Sequence, residues 1–146
     1  MLKIRKTELE EMRRHAEIAY PEECCGVLIG GTEGEARVVE RAVRCRNAAK
    51  NGRRRRYEID PRELIQIQRE AREQKLHIVG FYHSHPDHAA EWSATDLRDA
   101  YWAGCSYVIV GVKRGKAAEV RSFVLADSGD GEGGGGRFIE ETIDLV

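Results

Sequence analysis

The chain has 146 residues, the size of one ordinary globular domain, and can bury a core without disulfides as staples. It is 41% hydrophobic and 34% charged, and 24 Lys plus Arg nearly cancel 25 Asp plus Glu; the formal net charge of −1 draws it to neither nucleic acid nor membrane. No run approaches the roughly 18–20 apolar residues that span a bilayer, and MLKIRKTELEE lacks the apolar stretch of a secretory signal, so a cytoplasmic protein is expected.

Residues 2–5 (LKIR) alternate as a short strand, and Thr7 with Glu10 offers a capping box for a helix ending before Pro21. The four cysteines, Cys24, Cys25, Cys45 and Cys105, contain no CxxC spacing and an adjacent pair poorly placed to bridge; reduced, buried thiols are expected. CGVLIGG is a brief apolar run closed by glycines, and ARVVERAV is rich in β-branched residues. These predict strands over 24–30 and 36–43, joined by a hairpin across Gly30–Gly34.

A polar loop from Asn47 runs into four arginines, Arg53–Arg56, a solvated turn by default and a dock for an acidic partner at most. After YEID, Asp60 is placed as N-cap and Pro61 at the start of a helix whose Leu64, Ile65, Ile67, Gln68 and Ala71 recur at helical spacing. HIVGFYHSH returns to a strand. Ser93 opens a second helical stretch, SATDLRDAYWAG, that stops at Gly104, and YVIVGV and EVRSFVL are two more strands around the turn KRGK.

Residues 128–136 (SGDGEGGGG) read as a flexible Gly-rich loop within a single domain spanning 1–146, with no Lys-Ser/Thr ending that would make it a phosphate loop. FIEETIDLV resumes alternation as a terminal strand or edge segment. The predicted order is β-α-β-β-β-α-β-α-β-β, an α/β domain with one mixed sheet flanked by helices.

The chemistry concentrates in His83-Ser84-His85-Pro86 and Ser93-Ala94-Thr95-Asp96. In a strand, His83 and His85 face one side with Cα atoms about 6.5 to 7 Å apart, a gap two imidazoles close around one ion, while Ser84 points away. Pro86 turns the chain off the sheet edge, and Asp96 falls in the first turn of the following helix. Two histidines and a carboxylate leave a tetrahedral Zn²⁺ one open position, the arrangement of hydrolytic rather than structural zinc. Such a site also needs a base, and the pair Glu22-Glu23 precedes the strand CGVLIG; composition does not choose between them.

Each group also has an ordinary reading. Either histidine alone is a common strand residue, and Ser93-x-x-Asp96 is a helix-capping arrangement needing no catalysis. His88 is a solvated loop histidine before it is a third ligand. Asp99 is an exposed charge near Arg98, and Trp92 and Trp102 are packing groups.

Together, Glu23-Cys24-Cys25-Gly26, His83-Ser84-His85-Pro86 and Ser93-Ala94-Thr95-Asp96 resemble the JAMM, or MPN-plus, metallopeptidases, with no gap at any motif position. The resemblance extends over nearly the whole chain and implies the MPN (JAMM) fold, a twisted mixed sheet with an architecture similar to that of cytidine deaminases. It implies one zinc per chain on His83, His85 and Asp96, Glu23 rather than Glu22 as general base, and Ser93 as oxyanion stabiliser. YPEECCG, YEIDP and HSHPDH are similar to compact prokaryotic members that act on ubiquitin-like sulfur-carrier proteins. The implied activity is hydrolysis of an amide or isopeptide bond after a C-terminal Gly-Gly, releasing cysteine or trimming the carrier. The alternatives are a metal-free MPN-type scaffold, a zinc deaminase, whose His-x-Glu and Pro-Cys-x-x-Cys are absent, and a hydrolase using Cys24 or Cys25.

Overall fold

Apolar positions recur at every third or fourth residue in two long segments and form short continuous runs or alternations elsewhere, and the elements follow those patterns. The computed structural model describes residues 1–126 and 136–146. In chain order the elements are β1 (Leu2–Ile4), α1 (Lys6–Ala19), β2 (Cys25–Glu33), β3 (Ala36–Cys45), α2 (Pro61–Glu73), β4 (His77–Pro86), α3 (Ala94–Arg98), β5 (Ser106–Lys113), β6 (Lys116–Ala126), β7 (Arg137–Glu141) and β8 (Ile143–Leu145). The expected glycine-rich loop over 128–136 lies outside the described residues except for Gly136. Among the described residues, no helix is long and apolar enough to cross a membrane.

The strands form one mixed sheet in the order β7-β6-β5-β4-β2-β3-β1-β8, in which β4 runs antiparallel to β2 and parallel to β5. Helix α1 covers one face, where Met12 and Ala16 join Leu2, Ile4, Leu28, Val39, Val108 and Val110. Helix α2 covers the other, where Ile67 and Ala71 meet Val27, Ile29, Ile78 and Phe81. Asp60 caps α2 as expected, its carboxylate accepting from the Arg62 N–H at 2.9 Å, with Pro61 in the first turn. Ile65, although at helical spacing, turns to solvent and is 50% exposed.

Several boundaries differ from the sequence expectation. The N-cap of α1 is Arg5 without a side-chain cap, because the helix begins as soon as β1 ends: the Glu8 and Leu9 N–H groups both donate to Arg5 O, and Thr7 lies inside the helix. The glycines expected to close β2 lie within it. A register shift falls at Ile29/Gly30, where a Cβ on Gly30 would sit 1.8 Å from Val38 O, and the hairpin turns later, between Glu33 and Ala36. Three strands were expected between the first two helices and two are present, since residues 57–60 join no ladder.

Helix α3 is five residues long rather than reaching Gly104. On a continuous helix Trp102 would lie about 140° from Leu97, on another face; unwinding after Arg98 lets Leu97, Ala100 and Trp102 all pack against the α2-side core. Strand β4 is central rather than an edge, and Pro86 takes its last register position, opposite Val112. Asp87 then turns with φ 58°, its carboxylate accepting from the Tyr20 hydroxyl (2.7 Å) and the Arg114 N–H (2.9 Å).

The expected terminal segment splits at Thr142: β7 pairs with β6 and β8 with β1, at opposite edges of the sheet. One residue therefore links the two edges, and the sheet must curl to allow it. Inside the curl, Arg37 of β3 donates to Ser106 Oγ on β5 and to Glu141 on β7 (2.9 Å), while Ser122 donates to Glu141 at 2.7 Å. The Glu141 side chain is only 6% exposed, so its loss leaves the Arg37 charge without its partner. Glu141→Ala is expected to lower the unfolding free energy by about 3 kcal/mol in a urea titration; a change under about 0.5 kcal/mol, the usual range for surface substitutions, would show the closure does not depend on this pair.

Candidate functional site

The α2-facing side of β4 carries both histidines, and the first turn of α3 brings Asp96 against them. His83 Nε2 and His85 Nε2 lie 3.1 Å apart, and Asp96 reaches the first with Oδ1 at 3.2 Å and the second with Oδ2 at 3.0 Å. Among the described residues these three form the one His/Cys/Asp/Glu group with geometry suited to a metal. Zinc bonded at roughly 2.0–2.1 Å to tetrahedral donors sets them about 3.3 Å apart, and the observed separations of 3.0 to 3.2 Å are near that edge. The donor set therefore fits a zinc-sized cation.

Each of the three side chains is oriented by its surroundings. His85 Nδ1 is 3.1 Å from Ala89 O, which holds a proton on Nδ1, so that Nε2 would offer its lone pair to a bound cation. The buried His83 Nδ1 has no partner among the described residues; Tyr57 instead stacks on the ring at 4.7 Å and 26°. Asp96 is locked with Ser93 in a capping box, accepting from the Ser93 N–H at 2.9 Å while Ser93 Oγ accepts from the Asp96 N–H at 3.0 Å. Because that oxygen is used as an acceptor, the Ser93 hydroxyl proton stays available to the cleft.

Glu23 lies two residues before the start of β2 and is 4% exposed, while Glu22 points outward to Arg53 at 3.4 Å. The Glu23 N–H donates to Arg53 O (2.7 Å) and Asn47 Nδ2 donates to Glu23 O (3.1 Å), so the 47–56 loop clamps its backbone. Its Oε1 is buried without a partner among the described residues. The side chain shares a cleft of about 550 Å³ with Arg54, Arg55, His85, Trp92 and Ser93. On the opposite, α1-covered face of the sheet, a Cβ on Gly26 would lie 2.1 Å from the ring of Tyr82, whose hydroxyl meets His15 Nδ1 at 2.7 Å.

Electrostatics divides the two acids. Burial pushes Glu23 up to about 8, with the Asp96 charge adding to the rise and His85 opposing it. Burial also works against the charged form of Asp96, but hydrogen bonds from His83 and His85 outweigh it and hold that carboxyl well below the usual range. Complete burial lowers His83 and favours its neutral form.

The remaining candidates separate. His88 lines the cleft wall outside the ligand group, Asp99 caps α3 beside Arg98, and Trp102 packs edge-on against Phe81 at 5.3 Å. All four cysteines are free and buried, and burial pushes the Cys24 thiol up to about 12, which removes the thiolate a cysteine hydrolase needs. Sequence reasoning missed Asn47 and Tyr57: nothing local distinguishes a loop asparagine, and the YEID segment drew attention only by resemblance.

A profile of the family described as prokaryotic homologs of the JAB domain matches residues 6–126. The chain is 39% identical over 105 residues to a protein of Haloferax volcanii named desampylase, covering 72% of this chain and 73% of that one. It is 31% identical over 146 residues to the CysO-cysteine peptidase of Mycobacterium tuberculosis, covering 100% and 92%. A solution structure from Desulfitobacterium hafniense superposes with a TM-score of 0.82 at 32% identity, covering 100% and 93% of the two chains.

The raised Glu23 gives a pH signature in metal-free protein. Between about 4.5 and 8 the folded chain keeps a proton that the unfolded chain has released, so stability falls as pH rises, and the fall ends above the folded pKa. Urea titrations of chelator-treated protein should show a slope approaching, at most, about 1.4 kcal/mol per pH unit in that window, with the Glu23→Gln variant losing this component. Identical slopes in the two proteins would show that Glu23 ionises in the fold as it does in water.

Proposed function

Since the chain belongs to the family of prokaryotic homologs of the JAB domain, we propose that it is a zinc-dependent hydrolase of amide or isopeptide bonds. Its substrate is a small ubiquitin-like sulfur-carrier protein, cut after the C-terminal Gly-Gly. The observation that carries the reading is the buried, unpartnered Glu23 carboxylate, which shares one cleft with His85 of the ligand group and with Ser93. The relatives named desampylase and CysO-cysteine peptidase support hydrolysis at small carrier proteins.

His83 Nε2, His85 Nε2 and the Asp96 carboxylate would hold the zinc, which supplies Lewis acidity to water and to the scissile carbonyl. Glu23, kept as a carboxylate by the charge of a cation bound beside it, takes a proton from the attacking water and hands it to the leaving nitrogen. The Ser93 hydroxyl donates to the oxygen on which negative charge develops, while its Oγ keeps the contact to the Asp96 N–H. Water adds to the carbonyl carbon, the C–N bond breaks, and the products are a carboxylate and an amine. Every step passes through a side chain already held by packing or hydrogen bonds.

Elemental analysis after identical dialysis should find about one zinc per wild-type chain, the stoichiometry of a mononuclear catalytic site, and none on His83→Ala or Asp96→Ala. Glu23→Gln should keep the metal and lose hydrolysis of a Gly-Gly-tailed carrier, and Ser93→Ala should lower kcat by about 100-fold. Wild-type protein that takes up no zinc even on reconstitution would favour a metal-free MPN-type scaffold. Full activity in Glu23→Gln would remove that residue from the mechanism.

A further inference from the structure

The arginine run is stitched to the base. Arg53 O accepts from the Glu23 N–H at 2.7 Å, and Asn47 Nδ2 donates both to Glu23 O (3.1 Å) and to Arg56 O (3.0 Å). The outer two arginines are occupied: Arg53 by Glu22 and by Ala49 O, Arg56 by Glu58 at 2.7 Å. Arg54 and Arg55 are exposed, line the cleft beside Glu23, and form no ion pair among the described residues. Across the same cleft, Glu91 lies 3.5 Å from Arg121. The base side of the cleft thus carries two uncompensated guanidinium groups.

On the hydrolase reading, that side faces the leaving group. Glu23 must deliver its proton to the departing nitrogen, so whatever is bonded to that nitrogen sits next to the arginine loop. In a released amino acid the α-carboxylate is only two bonds from the nitrogen, well within reach of a guanidinium. In a lysine isopeptide the nitrogen is followed by a four-carbon apolar stem that offers the arginines no anion.

Resting on the hydrolase reading above, we propose that Arg54 and Arg55 form a carboxylate subsite that selects a free C-terminal amino acid as leaving group, in preference to a lysine side chain or an internal peptide. The reaction is unchanged in its balance: one water is consumed, the C–N bond breaks, and the freed amino acid leaves with its carboxylate on the arginines. A guanidinium meets a carboxylate through paired N–H donors, which an amide in its place does not satisfy.

Zinc-loaded Glu23→Gln protein, which binds without cutting, is titrated with a carrier-tail peptide ending Gly-Gly-Ala, either as free acid or as C-terminal amide. Trp92 in the cleft wall provides the fluorescence signal. The free acid should bind about tenfold more tightly at low salt, the scale of a charge-assisted pair. Adding R54Q and R55Q should bring the ratio to about one, and R54K with R55K should restore part of it. Equal affinity for acid and amide, or a ratio unmoved by the double substitution, would overturn the subsite. Hydrolysis by wild-type enzyme is scored separately: cleavage with equal binding rejects the arginines and keeps the base, whereas acid-selective binding without cleavage keeps the arginines and rejects the base.

Discussion

The site depends on one short stretch of backbone pairing, between Cys24 just ahead of β2 and Ser84 of β4. The Ser84 N–H donates to Cys24 O at 3.2 Å and the Cys24 N–H donates to Ser84 Oγ at 2.8 Å, both at fully buried positions. Strand alternation then sends Ser84 to one face of the sheet and His83 and His85 to the other. The residue before Cys24 is Glu23, so the same pairing that closes the ladder sets a carboxylate beside His85. A one-residue slip would reverse the faces and separate them.

Around this pairing, burial and hydrogen bonding drive two carboxyl groups in opposite directions. Asp96 is at a helix N-terminus, capped and contacted by two imidazoles, and stays ionised; in the metal-free protein Glu23, with a buried oxygen that has no partner among the described residues, holds its proton. Environments that separate the pKa values of neighbouring acids are how one pocket obtains both a fixed anion and a proton carrier. An unpaired buried oxygen weakens the metal-free fold, and the 47–56 loop holds the Glu23 backbone from outside.

The curl of the sheet supports this indirectly. Strands β7 and β8 follow one another with only Thr142 between them, yet they pair at opposite edges, and Arg37 with Glu141 fills the interior where those edges approach. With both edges tied, β4 and its neighbours β2 and β5 are held at the centre, where a ligand pair is least able to shift.

The sequence by itself determined the cluster of His83, His85 and Asp96, because its information is local. His-x-His needs only strand period, Ser93-x-x-Asp96 needs only a helix start, and Asp60-Pro61 needs only capping chemistry. The alternation of both faces, the two long helices and the mixed sheet follow from the same short-range rules. Tertiary structure decided what those rules do not contain. It chose which acid of Glu22-Glu23 turns inward, brought Tyr57 onto His83 and Asn47 onto Glu23, ended α3 at Arg98 so that Trp102 could reach the core, and divided the last strand between two edges. Each of these is settled by which distant surface an element packs against, and neither residue period nor capping preference carries that information.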